Sequence, residues 1–400
     1  MDLTLSSDQE MLVDSARRFL TRSWPAEAVR AAETSADGHD PKAWSEAAGL
    51  GWPGLCLPAE HGGSGAGMVE LALLAEELGR AAFSSPLLAQ TTLVALPLAW
   101  EGNAAQRTRW LPALAGGELI GSAALVAPGA RDERSSPPLE GRRSGDGWVL
   151  SGSRVLVPFA AVSSLLVVLA DLEGAGVSML VVEAERIAAL SRQQALGGDP
   201  MYAVSFHGTV VGTGDVIGRP GSGAALFARA LDHATVASVS YGVGLGERAL
   251  ELSVSHACDR HQFGRPIGSF QAVAHRCVDM RADLDAARWL ARQAAWALDK
   301  AGASGESAAP AGAPAAVAGA SGESAAPAGA LEVAAAKAYA NDALRRVFLN
   351  AHQVHGAIGF SLEHDLQLFT RRAKAFELSL GDTAQHRGRV AEAMGLGRSR

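Results

Sequence analysis

Two long helical patterns that meet at a short polar corner constrain this chain more than any other feature. Val236, Val239, Val243, Leu250 and Val254 recur on one face of a helix. Beyond the corner, Phe270, Val273, Cys277, Met280, Leu284 and Ala287 alternate steps of three and four, a narrow seam for packing on a neighbouring helix. Between them runs Arg260-His261-Gln262-Phe263-Gly264-Arg265-Pro266-Ile267-Gly268-Ser269-Phe270-Gln271. Gly264 is expected to end the first helix and Pro266 to open the second, where its fixed φ and missing N–H are tolerated. A planar charged Arg260, the Gln262 amide and the Phe263 ring then sit where helix ends leave backbone groups free. That set suits an anionic, ring-bearing ligand such as a nucleotide pyrophosphate. The plainer reading is a capping arginine and a core phenylalanine.

Composition narrows the function classes. Hydrophobic residues make up 48% and charged ones 19%, as in a soluble globular protein, and the net charge of −7 argues against a nucleic-acid footprint. Met1-Asp2-Leu3 lacks the basic start of a signal peptide, and the longest apolar run, 162–169, is too short to span a bilayer. Cys56, Cys258 and Cys277 are odd in number and widely spaced, which indicates neither disulfides nor a metal site. A cytoplasmic protein without nucleic-acid partner or membrane insertion is expected.

The chain divides by pattern into an α+β, mostly α, arrangement. Residues 1–120 read as a helical domain, opened by the N-cap region Ser6-Ser7-Asp8-Gln9-Glu10. Its Gly-rich break near His61 lacks the Gly-Lys-Ser/Thr of a phosphate loop, so His61 reads as a loop residue. Residues 121–219 show short β-type runs separated by Gly, Ser and Asp turns, a small β-barrel or sandwich, with Val204–His207 and Val210-Val211 expected to pair as a hairpin. Residues 220–400 read as a helical bundle. Within it Gly302–Ala313 recurs letter for letter at Gly319–Ala330, and the low-complexity stretch 301–330 is expected to be a disordered insertion.

The corner Arg-x-Gln-Phe-Gly-x-Pro-Ile-Gly-x-Phe-Gln resembles the helix-corner motif of the acyl-CoA dehydrogenase family. A second stretch, Gln353-Val354-His355-Gly356-Ala357-Ile358-Gly359-Phe360, is similar to that family's Gln-x-x-Gly-Gly-x-Gly-Phe segment, with Ala357 in place of a Gly. The Gly145–Arg154 stretch resembles its Asp-Gly-x-Trp hairpin. The resemblance covers most of the chain outside the duplicated insertion. It implies helical, β and four-helix-bundle domains, an FAD cofactor, an acyl-CoA or acyl-carrier-protein thioester substrate, and an electron-transfer partner. It also implies a homo- or hetero-oligomer, dimer or tetramer, in which Arg260, Gln262, Phe263, Gln271, Gln353, His355 and Gly356 hold the adenosine half of a neighbouring subunit's FAD.

The resemblance equally shows what is missing. Leu125-Val126-Ala127-Pro128-Gly129 replaces a Thr-Glu-Pro stretch, and Leu156 and Pro158 replace a Trp and a Thr beside the flavin. The family's reaction is α,β-desaturation, with a carboxylate as α-proton base. That base falls on Leu380 in one branch and on Ala234 in others, and Thr235 stands for an Arg near the CoA; Asp232 matches an Asp near the pantetheine. Asp382 or Glu377 is the candidate for a substitute base. The expectation is therefore a subunit that completes the FAD site of a base-bearing partner. The alternatives are a self-sufficient dehydrogenase using Asp382, or a flavin monooxygenase on the same fold.

Overall fold

The computed structural model describes residues 4–303 and 329–396. Helices α1 (Ser7–Ser23), α2 (Ala26–Thr34), α3 (Pro41–Gly49) and α4 (Met68–Arg80) open the chain. The first starts on a capping box, Ser6 Oγ accepting from Gln9 N while the Gln9 side chain accepts from Ser6 N. Helices α5 (Leu87–Ala89) and α6 (Leu96–Glu101) flank a π-helical turn at Gln90–Ala95, and α7 (Ala104–Ala115) follows.

The middle region is a curled β structure of two sheets. Strands β1 (Gly121–Ala123), β2 (Leu139–Ser144), β3 (Gly147–Ser151), β5 (Leu165–Leu172), β6 (Gly176–Glu183), β9 (Thr209–Val211) and β10 (Val216–Ile217) form the larger one. Strands β4 (Ser153–Pro158), β7 (Ala189–Gln193) and β8 (Met201–Ser205) form the smaller. Strand β5 is apolar at almost every position because both its faces are covered. Leu166 and Val168 meet Tyr202, Val204 and Phe206 between the sheets. Leu165 and Val167 meet Trp110, Leu111 and Leu114 of α7 on the outer side. The expected hairpin of Val204–His207 with Val210-Val211 does not form: β8 pairs with β4 and β7, whereas β9 pairs with β3. Phe206, fully buried between the sheets, carries the chain from one to the other.

The helical region contains α8 (Gly223–Asp259), α9 (Gln271–Ala303), α10 (Ala330–His355), α11 (Leu366–Leu378) and α12 (Thr383–Ala393). Val236, Val239, Val243 and Leu250 of the predicted α8 face are buried, but Val254 is 44% exposed. Of the α9 seam, Met280, Leu284 and Ala287 are fully buried and the earlier positions half-buried. Helices α4 and α8 touch backbone to backbone: a Cβ on Gly79 would lie 1.9 Å from Tyr241 O, and one on Gly244 1.9 Å from Glu76 O. Only glycine allows that approach. Arg288 of α9 ties the contact by pairing with Glu76 and Glu247 at 2.8 Å each. Of the insertion expected at 301–330, Ala301–Ala303 continue α9 and Ala330 opens α10; residues 304–328 lie outside the described residues. No helix among the described residues is long and apolar enough to cross a membrane.

The corner differs from expectation. Helix α8 stops at Asp259, before Gly264, and Pro266 precedes a 3₁₀ turn and does not itself open α9. Strands β11 (His261–Gln262) and β12 (Arg265–Pro266) instead pair as a tight hairpin, His261 opposite Pro266 and Gln262 opposite Arg265. Its two turn residues, Phe263 and Gly264, have φ of 54° and 76°, the left-handed pair that a two-residue hairpin turn requires. A 3₁₀ turn at Ile267–Ser269 then leads into α9.

Candidate active site

A cavity of about 260 Å³ opens where α4, the β region and α8 meet. Its walls are mostly apolar, among them Phe83, Leu88, Leu93 and Leu125. Helix α8 presents Ala234, Ser238 and Tyr241 to it, a stripe at i, i+4 and i+7. Leu380 reaches it from the loop between α11 and α12. The two positions to which the resemblance assigns a base, Ala234 and Leu380, thus line one cavity. Val126, Leu156 and Pro158, which also depart from the family pattern, line it too. Leu156 and Phe159 hold φ of 55° and 52°, left-handed backbone that is unfavourable for side-chain-bearing residues, and the Leu156 N–H is taken by Gln193 Oε1 at 2.8 Å.

Asp382 is not in that cavity. It is the N-cap of α12, accepting from Gln385 N at 2.9 Å, and it pairs with Arg131. The cap bond, with Arg131, holds its carboxyl below the usual range. A carboxylate so engaged is a weaker proton acceptor, and this one does not line the cavity. Glu377 pairs with Lys374 at 2.9 Å and does not line the cavity. Asp232 is buried in α8, two residues before Ala234, and Arg134 and Arg389 both donate to its Oδ1.

Among the described residues two carboxylates face the cavity, and neither stands out in the sequence. Asp199 sits at the Tyr241 end, where Ser84 Oγ donates to it at 2.7 Å; burial raises its pKa and Arg372 opposes the rise. Glu133 sits at the Leu380 end, in the turn between β1 and β2, and its Oε2 accepts from the Leu380 N–H at 2.9 Å. Burial raises its pKa, against the pull of that N–H and of Lys337. Arg131-Asp132-Glu133-Arg134 reads in sequence as a solvated charge run, so nothing local marks the member that lines the cavity. His386 Nε2, which donates to Leu380 O at 2.8 Å, fixes the other side of the same residue; burial lowers its pKa to about 4 and keeps it neutral.

The corner lies at the far end of α8. At a rise of about 1.5 Å per residue, Asp259 is roughly 38 Å from Ala234. There His256 of α8 stacks on His355 of α10 with ring centroids 4.8 Å apart, which brings the Arg260 corner and the Gln353–Phe360 segment to one end of the bundle. Phe263 is 92% exposed, so it is not a core residue. Arg260, Gln262, Gln271, Gln353 and Gly356 are exposed as well. His355 is buried, with Nδ1 bonded to Ala351 O at 2.8 Å.

These residues fit the adenosine-pyrophosphate half of FAD. Arg260 has no ion-pair partner among the described residues. The buried nitrogens His355 Nε2 and His352 Nδ1 have no hydrogen-bond partner among the described residues, an arrangement that favours a polar ligand. Gly356 holds φ 67° and ψ −145°, backbone that only glycine adopts readily, with open space around it. No group of three or more His, Cys, Asp or Glu among the described residues could hold a metal ion.

Comparison with known proteins agrees with this geometry. Residues 6–118 match the acyl-CoA dehydrogenase N-terminal domain, and residues 221–395 match the acyl-CoA dehydrogenase C-terminal domain. The chain is 26% identical to the probable acyl-CoA dehydrogenase YngJ of Bacillus subtilis (strain 168), over 95% of this chain and 96% of that protein. Among solved structures it resembles a variant of the Tcur3481-Tcur3483 steroid ACAD, with a TM-score of 0.83, 27% identity and coverage of 98% and 99% of the two chains. It also resembles a glutaryl-coenzyme A dehydrogenase in complex with glutaryl-CoA, with a TM-score of 0.84, 26% identity and coverage of 99% and 97%. With both terminal domains matched and the two motif-bearing segments brought to one end of the bundle, the chain belongs to the acyl-CoA dehydrogenase family of FAD-dependent oxidoreductases.

Proposed function

We propose that this chain desaturates an acyl thioester, carried on CoA or on an acyl carrier protein, between its α and β carbons in its own cavity. The observation that supports this most is that one apolar cavity is bounded by both Ala234 and Leu380. Its apolar walls would hold the acyl chain and exclude water from the reacting carbons. FAD supplies the acceptor for the β-hydrogen and its electron pair. The roughly 38 Å along α8 from Ala234 to the corner supports a division of labour. Arg260, Gln262, Phe263, Gln271, Gln353, His355 and Gly356 would hold the adenosine half for a neighbouring subunit, while Val126, Leu156 and Pro158 border this chain's own cavity. The assembly is then a dimer or tetramer in the cytoplasm that passes electrons to an electron-transfer partner.

A second reading keeps the same fold and cofactor but makes this chain the helper of a base-bearing partner subunit. The apolar residues at Ala234 and Leu380 favour it. Expression of the chain alone, with FAD counted per subunit and flavin bleaching followed on adding acyl-CoA, separates the two. Near one FAD per chain and rapid bleaching support the first. FAD and bleaching that emerge only with a co-expressed partner support the second.

A further inference from the structure

We propose that Glu133, supplied by the turn between β1 and β2, is the general base for α-proton removal in this chain. The proposal rests on the reading that the chain turns over an acyl thioester in its own cavity. Two observations carry it. Glu133 lines the cavity shared by Ala234 and Leu380. Its carboxylate is hydrogen-bonded to the backbone N–H of Leu380, a position to which the resemblance assigns the base. The carboxylate missing from that position is therefore replaced, in space, by one arriving from 247 residues away in sequence.

The turn is fastened on both sides of Glu133. Arg131 pairs with Asp382, and Asp132 accepts from Gln385 Nε2, both at the start of α12. Ser136 Oγ donates to Leu125 O at 2.7 Å and accepts from Ala127 N at 2.8 Å, closing the loop behind it. Glu133 is half-buried and lines the cavity. The charged groups that act on it are Asp132, Lys337 and Arg134. Burial raises its proton affinity above that of an ordinary carboxylate, which is the direction that strengthens a base. Asp199, the other carboxylate of the cavity, lies at the Tyr241 end and is bonded to Ser84.

In the step proposed, Glu133 takes the α-proton and becomes a carboxylic acid. The electron pair of that C–H bond forms the Cα=Cβ bond as the β-hydrogen leaves with its own pair to FAD. The thioester is oxidised by two electrons and the flavin reduced by two.

The test uses the full-length FAD-loaded protein with butyryl-CoA as probe. Wild type, Glu133→Gln, Glu133→Asp and the double variant Glu133→Gln with Leu380→Glu are compared. Exchange of the α-hydrogen in D₂O, read by mass spectrometry, reports the base separately from flavin bleaching. Glu133→Gln is expected to lower exchange by about 10²- to 10⁴-fold with FAD content unchanged, and the double variant to recover it at least in part. Urea denaturation adds a readout independent of turnover. Because the folded pKa is raised, the wild type should lose stability relative to Glu133→Gln as pH rises above the ordinary carboxylate range. Exchange in Glu133→Gln within a few-fold of wild type overturns the proposal. If Glu133→Gln fails to fold, an unchanged pH profile in Glu133→Asp overturns it. Absence of exchange in FAD-loaded wild type overturns the reading beneath it, and the proposal with it.

Discussion

Lys337 offers a sharp test of the packing beneath the cavity. It is fully buried in α10, where Nζ donates to Asn341 Oδ1 at 2.8 Å and Phe376 O at 2.6 Å and lies 3.5 Å from the Phe376 ring centroid. Burial lowers its pKa from 10.5 to about 7, against the opposing pull of Glu133 and Glu377. A depressed folded pKa means that the folded state has shed a proton which the unfolded chain retains. Stability should therefore rise with pH between about 7 and 10.5, by up to about 1.4 kcal/mol per pH unit. Between pH 7 and 9 the gain is roughly 2 kcal/mol. Lys337→Met, similar in length and without charge, should lose this slope. Titrating groups that do not interact with Lys337 contribute to both proteins and cancel in the difference. The assay is urea denaturation of both proteins at several pH values from 7 to 9. Parallel curves would refute the account, because Lys337 would then keep an ordinary proton affinity despite its burial.

Other outcomes follow from the same geometry. Gly79→Ala or Gly244→Ala should destabilise the protein by roughly 3 kcal/mol or more, seen in denaturation, because each Cβ would meet a carbonyl oxygen 1.9 Å away. Arg260→Ala should weaken FAD retention by about 10- to 100-fold, the worth of a charge-assisted hydrogen bond, and leave the melting temperature of the apoprotein unchanged. Asp382→Ala should cost about 1 kcal/mol through the lost cap and slow turnover less than Glu133→Gln does. His233 and His386, both lowered from 6.5 to about 4 by burial, should make the fold acid-labile: their stabilisation is present above pH 6.5 and is lost as pH falls toward 4. Replacing either with Gln should flatten that loss in a thermal melt.

Much of the fold was legible in the sequence because helices and strands write their periodicity locally. The apolar run of β5 survives in the structure, and so does the α8 face from Val236 to Leu250. The corner motif was legible as a set of residues, but its backbone was not. Gly264 and Pro266 suggested helix ends, whereas the chain makes a hairpin with a left-handed Phe263, because pairing of His261 with Pro266 sets the turn. The hairpin assigned to Val204–Val211 failed for a similar reason: partners of a strand are chosen by the sheets around it, not by the next strand in sequence.

Residues close together in the chain were enough to suggest the helical and β regions, the resemblance to the family, the corner motif and the apolar residues at both positions to which that resemblance assigns a base. Which carboxylate faces the cavity is a different kind of question, and long-range packing alone answers it. Asp382, close to the expected position in sequence, turns away to cap α12, while Glu133, far away in sequence, is folded back onto Leu380. Direction and burial are set by contacts between distant segments, and no local pattern of charges records them.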